Sequence, residues 1–296
     1  MADIPQEILY PPAIVWAAEL EKTAGENQLK EIREGYNPYF EKVCIEKGHR
    51  LRRFIYHNAI VGEKGAINKL KGKQVFHALN HQSLFDVVVA PYNHHALNLR
   101  RTVYAARENM QEFPIIGDVF KKCDLLIIPF DNMNTHTGKP FIRELHENLA
   151  EGRSICAFPE GTRSRNGETL EYQKGLLRII HHYAKKKDKE ILLSPQALVY
   201  DRVIETPFFR YLDYFKKNYH SKWGKWGYVG TDLVAFGTRF IRNLYNPTAG
   251  IVVHSFGQPF DLRDCRNETE VCQRARQSTI EQKAKYQERL LDWPDS

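Results

Sequence analysis

Residues Phe76 to Asp86 read FHALNHQSLFD, an apolar run ending in Asn80-His81, with an aspartate five positions after the histidine. If Gln74 to Asn80 is a strand, His81 stands just beyond its C-terminal end, where open α/β sheets place their ligands. Ser83 and Asp86 have the S-x-x-D spacing of a helix start, with Ser83 as N-cap and Asp86 as the third helical residue. A carboxylate there reaches back toward the helix N-terminus. It can accept a hydrogen bond from one nitrogen of His81 and leave the other to take a proton. Two readings fit: a base with its orienting carboxylate, or a capping box beside an ordinary loop histidine. The β-branched run Val87-Val88-Val89 prefers a strand and speaks against the helix.

Working outward, the chain repeats this texture. Short apolar runs (QVFHALN, RTVYAA, CDLLIIPF, SICAFP, EILLSPQALVY and GIVVHSFGQPF) alternate with polar windows at 139–151 and 175–187. Such alternation predicts an α/β fold, a mostly parallel central sheet flanked by helices. In the second window Leu176, Ile179, Ile180 and Tyr183 recur at helical spacing, an apolar stripe for the core. Residues 1–65 read as an N-terminal helical segment, with helical spacing from Ala13 to Lys22 and from Tyr39 to His57 and a break at YNP, 36–38. The α/β domain is expected over 66–265, and a C-terminal helix over 266–296, opened by NETE at 267–270.

The 296 residues carry a formal charge of +7, which favours acidic partners: nucleic acid, an anionic membrane or a phosphorylated substrate. Five scattered cysteines without C-x-x-C spacing argue against a disulfide framework or zinc ribbon and for a reducing compartment. No window reaches the roughly 18 apolar residues of a spanning helix, and the N-terminus lacks the basic start of a signal peptide. A cytoplasmic, peripherally membrane-associated protein is therefore expected.

A second stretch, FPEGTRSRNG from Phe158 to Gly167, follows another strand candidate, Ser154 to Phe158. Gly161 permits close backbone approach, and Arg163 and Arg165 offer planar forks for a phosphate. Glu160 could fix those arginines or bond a substrate hydroxyl. Lys174 begins a helix whose N-terminus attracts anions. Taken alone, the stretch reads equally as a surface turn with solvated arginines.

Together the two stretches are specific. Asn80-His81-Gln82-Ser83-Leu84-Phe85-Asp86 and Phe158 to Ser164, with Leu193-Ser194-Pro195 downstream, resemble the N-H-x-S-x-x-D, F-P-E-G-T-R-S and apolar-Pro blocks of the glycerolipid acyltransferases. The resemblance spans roughly residues 70–200. It implies transfer of an acyl group from acyl-CoA or acyl carrier protein to the hydroxyl of a lysophospholipid, 1-acylglycerol-3-phosphate first. Glycerol-3-phosphate acylation and transacylation between phospholipids are the alternatives, and a lipid-binding module on the same fold is the non-enzyme rival. His81 would be the base and Asp86 its orienter. Glu160, Gly161, Thr162, Arg163, Ser164, Arg165 and Lys174 would bind the acceptor. No cofactor beyond the donor is implied, and Cys156 is expected to be a buried strand residue. The family's other block carries an arginine where this chain has Pro129 and Phe130, which weakens the assignment of a phosphomonoester acceptor.

The segment Thr206 to Gly230 interleaves Phe208, Phe209, Tyr211, Tyr214, Phe215, Trp223, Trp226 and Tyr228 with Lys216, Lys217, Lys222 and Lys225. That mixture suits an anionic membrane surface; core packing and single-stranded nucleic acid are its competitors, nucleic acid the less favoured. Lys185 to Lys189 reads as a solvated helix end. His94-His95 and His181-His182 lack carboxylates at ligand spacing for a metal, and no G-x-S-x-G elbow supports a serine hydrolase.

Overall fold

The computed structural model describes residues 56–83, 85–107, 125–129, 138–164, 166–201, 203 and 250–291. Its strands are β1 (Tyr56–Gly62), β2 (Val75–Leu79), β3 (Thr102–Arg107), β4 (Leu125–Ile128), β5 (Ser154–Ala157), β6 (Leu192–Tyr200), β7 (Gly250–Phe256) and β8 (Phe260–Asp261). The helices are α1 (Ala66–Leu70), α2 (Asp86–Ala96), α3 (Gly138–Ala150), α4 (Lys174–Lys186) and α5 (Glu268–Leu291). The strands form one sheet in the order β1-β7-β6-β2-β5-β3-β4, with β8 on β6. From β4 to β6 neighbours run parallel; β7 is antiparallel to β6, and β1 parallel to β7. The C-terminal ends of β2, β3, β5 and β6 therefore share one edge of the sheet.

Alternating strand residues serve two cores, as the period of two requires. Phe76, Ala78, Ile155 and Leu193 pack with Leu145 and Leu149 of α3, Leu177 and Ile180 of α4, and Val271 and Ala275 of α5. On the opposite face Leu79, Cys156, Leu198 and Tyr200 meet Val89 and Ala90 of α2. The α/β expectation holds, with four corrections. Tyr56–Gly62 is a strand paired with β7, not the end of a helical segment, so the sheet begins upstream of the boundary expected at 66. The rest of 1–65 up to residue 55 lies outside the described residues. The buried stripe of α4 is centred on Leu177, Ile180 and Ala184, while Leu176 and Ile179 lie at its margin. Val87-Val88-Val89 are helical because burial of Val89 and Ala90 against the sheet outweighs the run's modest strand preference. Finally, Lys189 is not simply solvated: its ammonium donates to Leu149 O at 2.5 Å, satisfying a carbonyl at the α3 C-terminus. The C-terminal helix starts as expected, with Asn267 Oδ1 accepting from Glu270 N–H at 3.0 Å.

Beneath α2 lies a polar cluster in which His77, Asn93, His94, Gln196 and His254 have no solvent exposure. Gln196 Oε1 accepts from His94 Nε2 and His254 Nε2, both at 2.9 Å. Its amide nitrogen donates to His77 Nδ1 at 2.7 Å. Asn93 donates to His254 Nδ1 at 2.9 Å, and Tyr104 OH to His94 Nδ1 at 3.1 Å. Each imidazole has a lone pair engaged, so all three are neutral. Burial holds their pKa values down, His94 at about 4 and His77 and His254 well below the ordinary value, with repulsion between the imidazoles adding to the effect for His77 and His254.

The unfolded chain binds these protons near pH 6.5 and the folded one does not. The stability is therefore present above that value and lost as pH falls through it. Each group contributes about 1.4 kcal/mol per pH unit, so the cluster alone should remove roughly 4 kcal/mol between pH 7.5 and 5.5. Urea titrations of wild type and His254→Gln at both values check this: the variant should lose about a third less.

Candidate active site

The site is built where β2 leaves the sheet. The Asn80 side chain continues the ladder, accepting from Leu198 N–H at 2.7 Å and donating to Leu198 O at 3.0 Å. This pins the backbone to β6 while His81 turns out of the sheet. His81 Nδ1 donates to Asp86 Oδ2 at 2.8 Å. The same oxygen accepts the N–H groups of Gln82 (2.7 Å) and Ser83 (2.9 Å), and Oδ1 accepts the Tyr200 hydroxyl at 2.5 Å. Asp86 is fully buried, whereas the His81 side chain is 18% exposed. A carboxylate only accepts, so Nδ1 carries the hydrogen and Nε2 a lone pair. Nε2 makes no hydrogen bond among the described residues, and the ring stacks on Phe158 at 4.3 Å between centroids.

The expected contact is present, but its helix frame differs. Asp86 is the first residue of α2, not the third. Ser83 does not reach the helix as an N-cap; its hydroxyl accepts from Phe85 N–H at 3.1 Å within the connecting turn. The carboxylate caps the turn before the helix rather than the helix itself, and its charge at the helix N-terminus is favourable.

The β5 loop closes over the same edge. Gly161 N–H donates to Phe158 O at 2.9 Å, and Gly161 sits at φ +69°, a conformation that suits glycine. A Cβ there would come within 3.1 Å of Arg107 Nη2, so the guanidinium at the end of β3 lies over this turn. Three bonds sew the loops together: His81 N–H to Glu160 Oε1 (3.3 Å), Ser164 N–H to His81 O (2.7 Å) and Gln82 Nε2 to Gly167 O (2.8 Å). Burial pushes the Glu160 carboxyl up to about 7, against the N–H groups of His81 and Leu170 and the charge of Lys283, while the Asp86 charge adds to the rise.

Of the remaining expected residues, Thr162 is exposed, Arg163 half-buried and Ser164 buried, all in this turn. Arg165 lies outside the described residues, as do Phe130 and the segment Thr206 to Gly230. Lys174 directs its ammonium to Thr269 of α5 at 2.9 Å, away from the role expected of it. Cys156 is buried in β5, and burial pushes its thiol far up, so it is unsuited to be a nucleophile. Two residues escaped the sequence reading: Tyr200, the last residue of a strand run, and Arg107, at the end of β3. Their position at strand C-termini is the signal that could have found them. Among the described residues no helix is long and apolar enough to cross a membrane.

Residues 59–197 match the family model described as Acyltransferase. The match spans both loops, and with the relatives below it shows that the chain is similar to glycerolipid acyltransferases over those residues. The chain is 27% identical over 202 residues to a glycerol-3-phosphate acyltransferase of Shewanella sp. (strain ANA-3), covering 67% of this chain and 23% of that protein. It is 25% identical over 204 residues to the enzyme of the same description from Xanthomonas axonopodis pv. citri (strain 306), covering 67% and 22%. The chain thus spans about a quarter of the length of these relatives. Among solved structures, the 1-acyl-sn-glycerophosphate (LPA) acyltransferase PlsC from Thermotoga maritima aligns with a TM-score of 0.49 at 17% identity, covering 95% of this chain and 89% of that one.

Replacing Tyr200 with phenylalanine leaves a buried carboxylate short of one donor, which should cost about 1–3 kcal/mol. Urea unfolding at pH 7.5 measures it; a variant as stable as wild type would show that this bond contributes nothing.

Proposed function

We propose that the chain is an O-acyltransferase that moves a fatty acyl group from a thioester, acyl-CoA or acyl carrier protein, to the hydroxyl of a lysophospholipid, with 1-acylglycerol-3-phosphate as the acceptor. The observation that supports it most is the His81 imidazole, fixed at Nδ1 by Asp86 with Nε2 left for a proton. Nε2 takes the proton of the acceptor hydroxyl as its oxygen attacks the thioester carbonyl carbon. The tetrahedral adduct collapses, the carbon–sulfur bond breaks, and the imidazolium gives its proton to the departing sulfur, which restores the neutral base. No covalent enzyme intermediate is needed. Arg107 and Arg163 flank Gly161 and suit an acceptor phosphate. Glycerol-3-phosphate is the second reading of the acceptor, favoured by the descriptions of the Shewanella and Xanthomonas relatives.

Thiol release from a long-chain acyl-CoA, measured with lysophosphatidic acid, glycerol-3-phosphate or no acceptor, tests the reaction and ranks the acceptors. His81→Ala should lower acceptor-dependent release about 10²–10⁴-fold; an unchanged rate would remove His81 as the base.

We place the protein at a membrane surface, through the aromatic and basic residues between Thr206 and Gly230. It should then co-sediment with vesicles containing phosphatidylglycerol and be released by about 0.5 M salt. Failure to sediment on those vesicles at low salt would overturn the peripheral location.

A further inference from the structure

The helix α5 lies outside the residues matched by the family model, yet one stripe of it faces the loop that follows Ser164. Arg276 Nε and Nη2 donate to Leu170 O (2.9 Å) and Thr169 O (3.0 Å). One turn on, Thr279 Oγ1 accepts the Tyr172 hydroxyl at 2.9 Å. The next position on this stripe is Lys283, only 8% exposed. Among the described residues its ammonium makes no hydrogen bond, and the carboxylates it faces are Glu160 and Glu168. Glu160 in turn buries Oε2 without a hydrogen-bond partner. A buried ammonium and a buried carboxylate are each costly alone, and an opposite charge nearby offsets part of that cost.

We propose that Lys283 is a positioning residue of the site: it supplies the counter-charge to Glu160, so that α5 sets the charge and orientation of the loop carrying the acceptor-binding residues. The role of that loop rests on the acyltransfer reading; the charge relation between Lys283 and Glu160 does not. The groups that face Glu160 are His81 before α2, Asp86 on α2, Tyr172 in the following loop, Lys283 on α5, and Arg107 beside the adjacent Gly161. Of these, Lys283 is the cation placed against it from α5. Burial and Asp86 oppose ionisation of Glu160, and Lys283 favours it.

The test follows the Glu160 carboxyl carbon by NMR in protein labelled with ¹³C-glutamate, its resonance assigned by its loss in Glu160→Gln. Lys283→Met, which keeps the aliphatic stem, should raise the titration midpoint of Glu160 by about one pH unit, and Lys283→Arg should restore it. The acidic limb of kcat/KM for acceptor-dependent thiol release should move in the same direction in the methionine variant. A Glu160 midpoint that does not move in Lys283→Met overturns the proposal, even if activity falls. If Lys283→Met does not fold, Glu160→Gln supplies the reciprocal measurement: the ¹³Cε titration of Lys283 must move down, and a fixed midpoint overturns the proposal equally. If no acceptor supports thiol release, the acyltransfer reading fails, while the two NMR titrations still decide on Lys283.

Discussion

A negative charge with no access to water sits at the centre of this structure, and Asp86 can hold it only because four donors converge on it. Three come from the turn between β2 and α2: the His81 imidazole and the N–H groups of Gln82 and Ser83. The fourth comes from Tyr200 at the far end of β6. Charge-assisted bonds of this kind offset a desolvation cost that an unpaired carboxylate would not survive. Meeting that demand fixes the turn, the orientation of the imidazole and the register of β2 against β6. Register matters because a slip of one residue would send Tyr200 to the other face of the sheet. The geometry of His81 is thus a by-product of satisfying its neighbour.

The same face of β6 carries Gln196, two repeats of the pleat below Tyr200, and there the chain solves a related problem differently. Three imidazoles without exposure surround one amide, and among the described residues no carboxylate is a hydrogen-bond partner of theirs. Burial therefore keeps them neutral. His77 and His81 sit four residues apart, one locked in that neutral network and the other given a carboxylate and an opening to solvent. The difference in chemical capacity comes from the partners, since the side chain is the same.

What the sequence disclosed follows from how local each feature is. The runs around Phe76, Ile155 and Leu193 are legible because both faces of a central parallel strand are buried, which makes them continuous in sequence. His81 and Asp86 are legible because five residues separate them. Tyr200 lies 114 positions from Asp86, and its partnership depends on β6 lying beside β2, which no local pattern encodes. Lys283 escaped for the same reason: on a polar helix, one of two lysines among many polar residues gives no sign that it is buried. Tyr56–Gly62 looked helical because its short apolar run adjoined a window with mixed spacing, and the strand that recruits it, β7, stands nearly two hundred residues away. The reversal at β7 was equally hidden, since a strand's direction depends on what precedes it.

That reversal has a topological result. β6 and β7 are antiparallel neighbours, so the chain departs after Tyr200 and comes back at Gly250 on the very edge that holds His81. The two ends are clasped, with Asp201 N–H donating to Ile251 O at 3.1 Å and Ile251 N–H to Asp201 Oδ1 at 2.9 Å. The connection from 202 to 249 therefore starts and ends at one fastening. The entropy of closing such a connection varies only with the logarithm of its length, so a change in its length costs the strands that fasten it little. In evolutionary terms that fastening is a grafting point, where a lineage can alter the inserted sequence while the His81–Asp86 pair stays as it is.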